Sequence, residues 1–464
     1  MFSKVKVPQS GATGVSLERR QAKIEKRRRF WKKARKGLFW TLAVAFVAHL
    51  SLNIYASIQL NRELAAIRQK GEPLRFSEIE PPAVPDAQNA WLVYEQATKS
   101  LRFSPGEKLA LRVSQRNLTP ADKKLIESAI RNNQKAIALT RQAATMPQCR
   151  FPLNWQGNPL KFRFPHYARL RELARLLALD ARIKARQGDR TTALNDVRAL
   201  FGISHHLSKE PVLIGFLVAQ SVDALAHQAL GQTLDSIPQS VVQARALEAS
   251  LPQDDWASAF HYSMVGERTF GLFGFESLGQ SGLEDADEDN SMPLPVWTQY
   301  PLLWIARPVL KLDEVQTLRM WRQMLDSPES QQVPQSVTVG KMQNDAIQNA
   351  PFYAVLTKIL FPVFSRVGDN RDFAEVRRRQ REVALALTCF RTARGHYPAQ
   401  LQEVVALWGN SLPLDPYSQK PFVYRASGKS FVLYSIGVNR VNDGGKNARS
   451  IPYNPSVDDM PWLN

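Results

Sequence analysis

Residues 37–61 contain no Asp, Glu, Lys or Arg, and they follow directly on the run Arg27-Arg28-Arg29-Phe30-Trp31-Lys32-Lys33-Ala34-Arg35-Lys36. That junction decides which solvent each part of the chain meets. A helix rises ~1.5 Å per residue, so 38–60 reaches about 34 Å, enough for a hydrocarbon core of ~30 Å. Helix also pairs its own backbone groups, which lipid requires. Residues 38–50 are strongly apolar. Ser51, Asn53, Ser57 and Gln59 make the second half more polar.

The first 36 residues hold 13 Lys/Arg and 2 Glu, which is +11 of the chain's +19 and leaves +8 for the rest. Positive flanks stay cytoplasmic, so Arg27, Arg28, Arg29, Lys32, Lys33, Arg35 and Lys36 are the topology determinants. They predict a single-pass protein of the cytoplasmic (inner) membrane, with 62–464 extracytoplasmic. The arm accounts for most of the charge behind a pI near 10, so nucleic acid is not an expected partner. Membrane lipid is. Two other readings of the junction stay open. Lys26–Lys32 matches the twin-arginine export pattern, although Ile54-Tyr55-Ala56 is a poor cleavage site. A long buried helix of a soluble protein is the other.

The remainder is long enough for two cores. Proline punctuates it at Glu72-Pro73 and Pro81-Pro82-Ala83-Val84-Pro85. Asp86 then reads as the cap of a helix carrying Trp91 and Tyr94, and Thr119-Pro120-Ala121-Asp122 as the start of another. The clearest helical block is 166–235. Leu170, Leu173 and Leu177 share one helical face, as do Leu194, Val197 and Phe201, and Gln187-Gly188-Asp189 makes the turn between them. This looks like one tetratricopeptide-type hairpin. The apolar stretch 211–219, closed by Asp223, reads as a buried core helix. Residues 281–293 read as an acidic loop, and 326–350 as a linker.

After a helical stripe through Phe373, Val376, Val383, Leu387 and Phe390, Gly395 ends the helix. There follow His396-Tyr397-Pro398, Asp415-Pro416, two strands over 421–425 and 430–435 with a Ser427-Gly428 turn, Asn442-Asp443-Gly444-Gly445, and Asp458-Asp459-Met460-Pro461-Trp462. This order resembles the C-terminal half of the major pseudopilin of type II secretion systems over residues 371–464. The resemblance implies an antiparallel hairpin cap and a calcium loop, here Asn439, Asn442, Asp443, Asp458 and Asp459. Arg440 and Lys446 weigh against a cation there, and turn residues are the alternative. The N-terminal processing site of that family is missing at 36–41. The whole chain is also similar to a family of large single-pass bacterial membrane proteins, on 81–90, 149–153 and the tail. That likeness implies architecture and no particular chemistry.

The expected fold is therefore mainly α with a small α+β C-terminal module. It divides into a basic arm (1–36), a transmembrane helix (37–61), a connector and first helix (62–100), a helical domain (101–370) and the pseudopilin-like module (371–464). Cys149 and Cys389 are a candidate disulfide if extracytoplasmic, or two buried thiols. No zinc-protease, serine-hydrolase, dinucleotide or phosphate-loop motif is present. His205-His206 with Glu210 is the nearest approach to a metal set, but adjacent helical residues point ~100° apart. The expected function is an envelope scaffold with protein partners, linked to secretion or pilus-like machinery. An extracytoplasmic enzyme built on the helical domain is the alternative.

Overall fold

In the computed structural model, which describes residues 12–111, 119–234, 240–280, 296–326, 344–428, 430–446 and 460–462, the charge-free span lies inside one helix, α1 (Ala12–Gln69). The helix passes through Lys36–Gly37 without a break, so the described part of the basic arm is a continuation of the span. Its apolar side chains are uncovered: Leu38 is 60% exposed, Trp40 66%, Phe46 55% and Ile54 53%. The second apolar helix, α8 (Leu213–Thr233), has an apolar window that is 67% buried. By length and composition both could cross a membrane; only α1 presents its apolar surface outward. As expected from 211–219, α8 is a core helix, but it continues past Asp223 for ten residues because that carboxylate finds partners inside the protein (below).

The C-terminal half of α1 is lined on one face by α11 (Val296–Asp326). His49 meets the Trp304 carbonyl at 3.0 Å, Lys311 Nζ donates to Asn53 Oδ1 at 3.0 Å and Ser57 Oγ at 2.8 Å, Arg319 Nε donates to Glu63 at 2.9 Å, and Lys70 pairs with Asp326. The sequence separation of these pairs stays between 254 and 258, so the two helices run parallel.

The helical body begins with α2 (Ala90–Ser100), α3 (Pro105–Ala110), α4 (Pro120–Asn132) and α5 (Gln134–Ala144). Thr119 and Asp122 form a reciprocal capping box at α4, as the sequence predicts. At α2 the cap is Asn89 and not Asp86, which opens a 3-10 turn. Asn89 Oδ1 accepts from Trp91 N at 3.1 Å and from Arg150 N at 2.9 Å, so a tertiary bond fixes the start of the helix. The expected hairpin is α6 (Pro165–Arg186) and α7 (Arg190–Ser208), with Gly188 at φ +84° and Asp189 capping Thr192 N at 3.1 Å. Leu170, Leu173, Leu177, Val197 and Phe201 are all buried.

Next come α9 (Val241–Ser250), α10 (Trp256–Gln280) and the long α12 (Val355–Arg394). The expected boundary at 370/371 falls in the middle of α12. This helix packs on the helical body through Arg377–Asp223 and Arg381–Glu248, and on the C-terminal sheet through Gln380, which donates to Met460 O at 2.7 Å. One hydrophobic cluster runs from Phe76 through Leu177 and Phe216 to Phe431 and Trp462. Gly395 (φ +81°) ends α12 as expected. A short α13 (Gln402–Trp408) leads to a three-stranded antiparallel sheet, β1 (Val423–Ser427), β2 (Ser430–Ser435) and β3 (Met460–Pro461). The hairpin was legible in the sequence; β3 was not. The acidic segment 281–293 and most of the linker 326–350 lie outside the described residues.

Candidate functional site

The turn between α9 and α10 stands against the middle of α12 and leaves a polar pocket of about 300 Å³, lined by Asp254, Asp255, Trp256, Arg371, Glu375 and Arg378 among others. Each charged group there is already engaged. Asp255 receives Ala257 N at 3.0 Å, Ser258 N at 3.1 Å and Ser258 Oγ at 2.5 Å, and the Ser258 bonds hold its carboxyl below the ordinary range. Arg371 is buried and clamps the Asp372 carboxylate at 2.6 and 3.0 Å, with Phe260 beneath it at 5.8 Å. Burial would raise the Glu375 carboxyl, but Arg378 at 2.8 Å and Arg379 at 2.7 Å outweigh it and hold it low. The pocket is therefore lined by three carboxylates and two guanidiniums, each already paired within the protein.

Behind the pocket, His205 Nδ1 meets Asp254 Oδ1 at 2.5 Å. Ser208 Oγ donates to the same carboxylate at 3.3 Å and to the His205 carbonyl at 2.8 Å. In a serine hydrolase the hydroxyl must bond the imidazole, which takes its proton. Here the carboxylate sits between hydroxyl and imidazole, so the trio is not a nucleophile–base–acid relay.

The other sequence candidates are dispersed. His206 turns into the core, where Tyr94 Oη and the Met146 carbonyl occupy its two nitrogens at 3.0 and 2.9 Å; burial pushes its pKa down to about 4. Glu210 is buried, its carboxyl raised to about 7 by desolvation against one bond from Tyr167 Oη at 3.1 Å. His205, His206 and Glu210 thus serve three separate contacts and no common ion. Cys149 and Cys389 are both free thiols, and the structure does not join them. Burial raises both, Cys389 to about 11, which suppresses the thiolate; Cys389 Sγ donates to Ser240 O at 3.6 Å.

In the tail, Asn439 Nδ2 donates to Asp443 at 2.9 Å, and Asn439 Oδ1 accepts from Val441 N at 2.7 Å. Asn442 Oδ1 accepts from Tyr434 Oη at 2.9 Å and Gly444 N at 3.0 Å. These oxygens shape the loop; Asp458 and Asp459 lie outside the described residues. Among the described residues no three His, Cys, Asp or Glu side chains cluster as metal ligands. Asp415, read only as part of an Asp-Pro motif, is a structural clamp: it accepts from Tyr417 N, Ser418 Oγ and Ser435 Oγ at 3.1, 3.0 and 2.7 Å.

Sequence reading missed the buried ion sets. Arg141 bridges Asp180 (2.9 Å) and Asp196 (2.6 Å), joining α5, α6 and α7. Asp223 accepts from Arg377 at 2.9 Å and faces His227 at 3.3 Å; burial alone would raise it, but those partners hold it down near 2. The available signal was an acid inside an otherwise apolar helix. Arg27, Arg28, Arg29, Lys32, Lys33, Arg35 and Lys36, expected from the sequence to set topology, are exposed along α1. No family model, curated protein or solved structure matches this chain.

Proposed function

We propose that the protein is a membrane-anchored extracytoplasmic scaffold, held by α1 in the cytoplasmic membrane with the basic arm inside. The observation that carries this is the uncovered apolar length of α1, which starts at the last residue of the basic run. A contiguous apolar surface of that extent is not kept in water. The helical body then supplies grooves between packed helices for envelope partners. Its tail, by motif likeness to the pseudopilin C-terminal half, is the part that would meet secretion or pilus-like machinery. The pocket, whose charged groups are already paired, and the misordered Ser208–Asp254–His205 trio favour binding over catalysis.

Membrane fractions should retain the full-length chain through alkaline carbonate extraction. A periplasmic-only reporter fused after residue 70 or at residue 464 should be active, and a cytoplasmic-only reporter at the same points inactive. Replacing the seven determinant Lys/Arg residues with Gln should lower the fraction in this orientation. Release by carbonate would remove the anchor; cytoplasmic activity at either fusion point would reverse the topology.

A further inference from the structure

The membrane contact extends beyond α1. Outside that helix thirteen large apolar side chains are exposed among the described residues, and six of them fall at one end of the molecule: Trp304, Ile305, Val309, Phe352, Val355 and Ile359. Ile305 is 59% and Phe352 91% exposed. Their heights follow from their neighbours. Trp304 stacks on Phe46 (centroids 6.0 Å, 19°) and lies 4.0 Å from the His49 ring, so it stands level with the middle of the charge-free span. The parallel register puts Val309 near Asn53 and Lys311 between Asn53 and Ser57. The start of α12 is tied to that level, since Asp313 accepts from Leu356 N at 2.8 Å and Thr357 N at 3.1 Å.

At ~1.5 Å per residue from Leu38, Trp304 lies about 16 Å into a ~30 Å core and the first turn of α12 about 28 Å. The exposed face of α11 is thus continuous with the exposed Leu50, Ile54 and Ile58 of α1. The same packing accounts for the polar residues in the second half of the span. Asn53 and Ser57 hold Lys311, and Gln59 accepts from Arg319 Nη2 at 3.1 Å. They are polar because α11, and not lipid, covers them.

We propose that the base of the helical domain is itself membrane-embedded: Trp304, Ile305 and Val309 enter the outer leaflet beside α1, and Phe352 and Val355 rest at its headgroup boundary. This rests on reading α1 as the anchor. By the same register the first residue of α11, Val296, stands level with Thr41, so α11 runs beside the inner as well as the outer half of the span. Arg307 is exposed within this stretch, and its long stem lets the guanidinium reach phosphate level. The anchor and the body are then held as one unit on the bilayer, with the pocket and the C-terminal sheet at a fixed height.

The test uses the full chain in phosphatidylethanolamine/phosphatidylglycerol vesicles, with a polarity-sensitive fluorophore on Val44→Cys, Ile305→Cys, Val355→Cys or Val242→Cys. The unsubstituted chain, whose own thiols are half-buried at Cys149 and buried at Cys389, is the blank. Val44 reports the anchor and Val242, exposed on α9, reports water. The expected result is blue-shifted emission at Ile305, lost on adding doxyl-labelled lipid to the extent seen at Val44. Val355 should respond to shallow doxyl labels and Val242 to none. Water-like emission at Ile305 and Val355 with lipid-like emission at Val44 overturns the proposal and leaves the anchor standing. Water-like emission at Val44 as well overturns the anchor itself. Blue-shifted emission at Ile305 insensitive to both iodide and doxyl lipid means that another copy of the chain covers this face, and also overturns it.

Discussion

Replacing Arg141 with methionine is expected to destabilise the fold by about 3 kcal/mol or more, and by more at pH 8 than at pH 5. Arg141 keeps a quarter of its surface, but Asp180 and Asp196 are 1% and 0% exposed. One guanidinium serves two carboxyls, so the set is one cation short of balance. Burial therefore raises both acids, Asp196 to about 7 from an ordinary 3.8. Asp180 Oδ1 and Asp196 Oδ2 have no hydrogen-bond partner of their own, which fits a proton held between the two carboxyls. The sign follows from the raised value. Between about pH 4 and 7 the folded chain holds a proton on Asp196 that the unfolded chain releases. Stability from this group is full below about 3.8 and is lost as pH rises through about 7. Without Arg141 both acids move further up, and the loss extends to higher pH. Methionine keeps most of the packing volume, so the difference reports charge. Urea midpoints in detergent at the two pH values measure it. A deficit below about 1 kcal/mol, or one equal at both pH values, would show that the triad is an incidental surface pair.

The difference between what the sequence disclosed and what it hid has a physical basis. Patterns that one segment decides by itself were legible. They include the charge-free span, the Gly188–Asp189 turn, the Thr119 capping box, Gly395 in the left-handed region and the β1–β2 hairpin. In each, the residues that set the structure are neighbours in the chain. What depended on residues far apart was not legible. Asn89 replaces Asp86 as the cap because Arg150 N bonds its side chain. β3 exists because Trp462 N reaches Leu433 O at 2.8 Å. Asp223 does not end α8 because Arg377, 154 residues later, neutralises it. The boundary expected at 370/371 falls inside α12, which packs on both sides of it, and only the packing shows this. At the site level, His205, His206 and Glu210 looked like one set by proximity in sequence, and the fold sends each to a different partner. The pocket was invisible because Asp254 and Glu375 are brought together across more than a hundred residues.

Gly266→Ala is expected to destabilise by about 3 kcal/mol or more and to lower accumulation of folded protein, while Gly274→Ala on the same helix is expected to be neutral or stabilising by up to ~1 kcal/mol. Both glycines lie in α10, where glycine is a poor helix former, so propensity alone predicts the same gain for each. Space separates them. A Cβ at Gly266 would run into the Pro211 carbonyl in the turn between α7 and α8, and would touch Ile79 Cδ1 at 3.4 Å, whereas nothing lies within 4 Å of one at Gly274. The obstacle at Gly266 is main chain held by α8 behind it, and it cannot rotate aside as a side chain would. Relief requires α10 to move away from the 211–213 turn. That turn leads into the helix carrying Asp223, and α10 carries Arg268, which is buried and paired with Glu72 just beyond the end of α1. The substitution therefore loosens the joint between α1 and the body as well as the core. Protease susceptibility of the full chain in membranes reads this directly. Gly266→Ala should be cut faster than the parent chain and Gly274→Ala no faster. Equal resistance of the two variants would mean that α10 shifts without cost, and that this joint is looser than its packing implies.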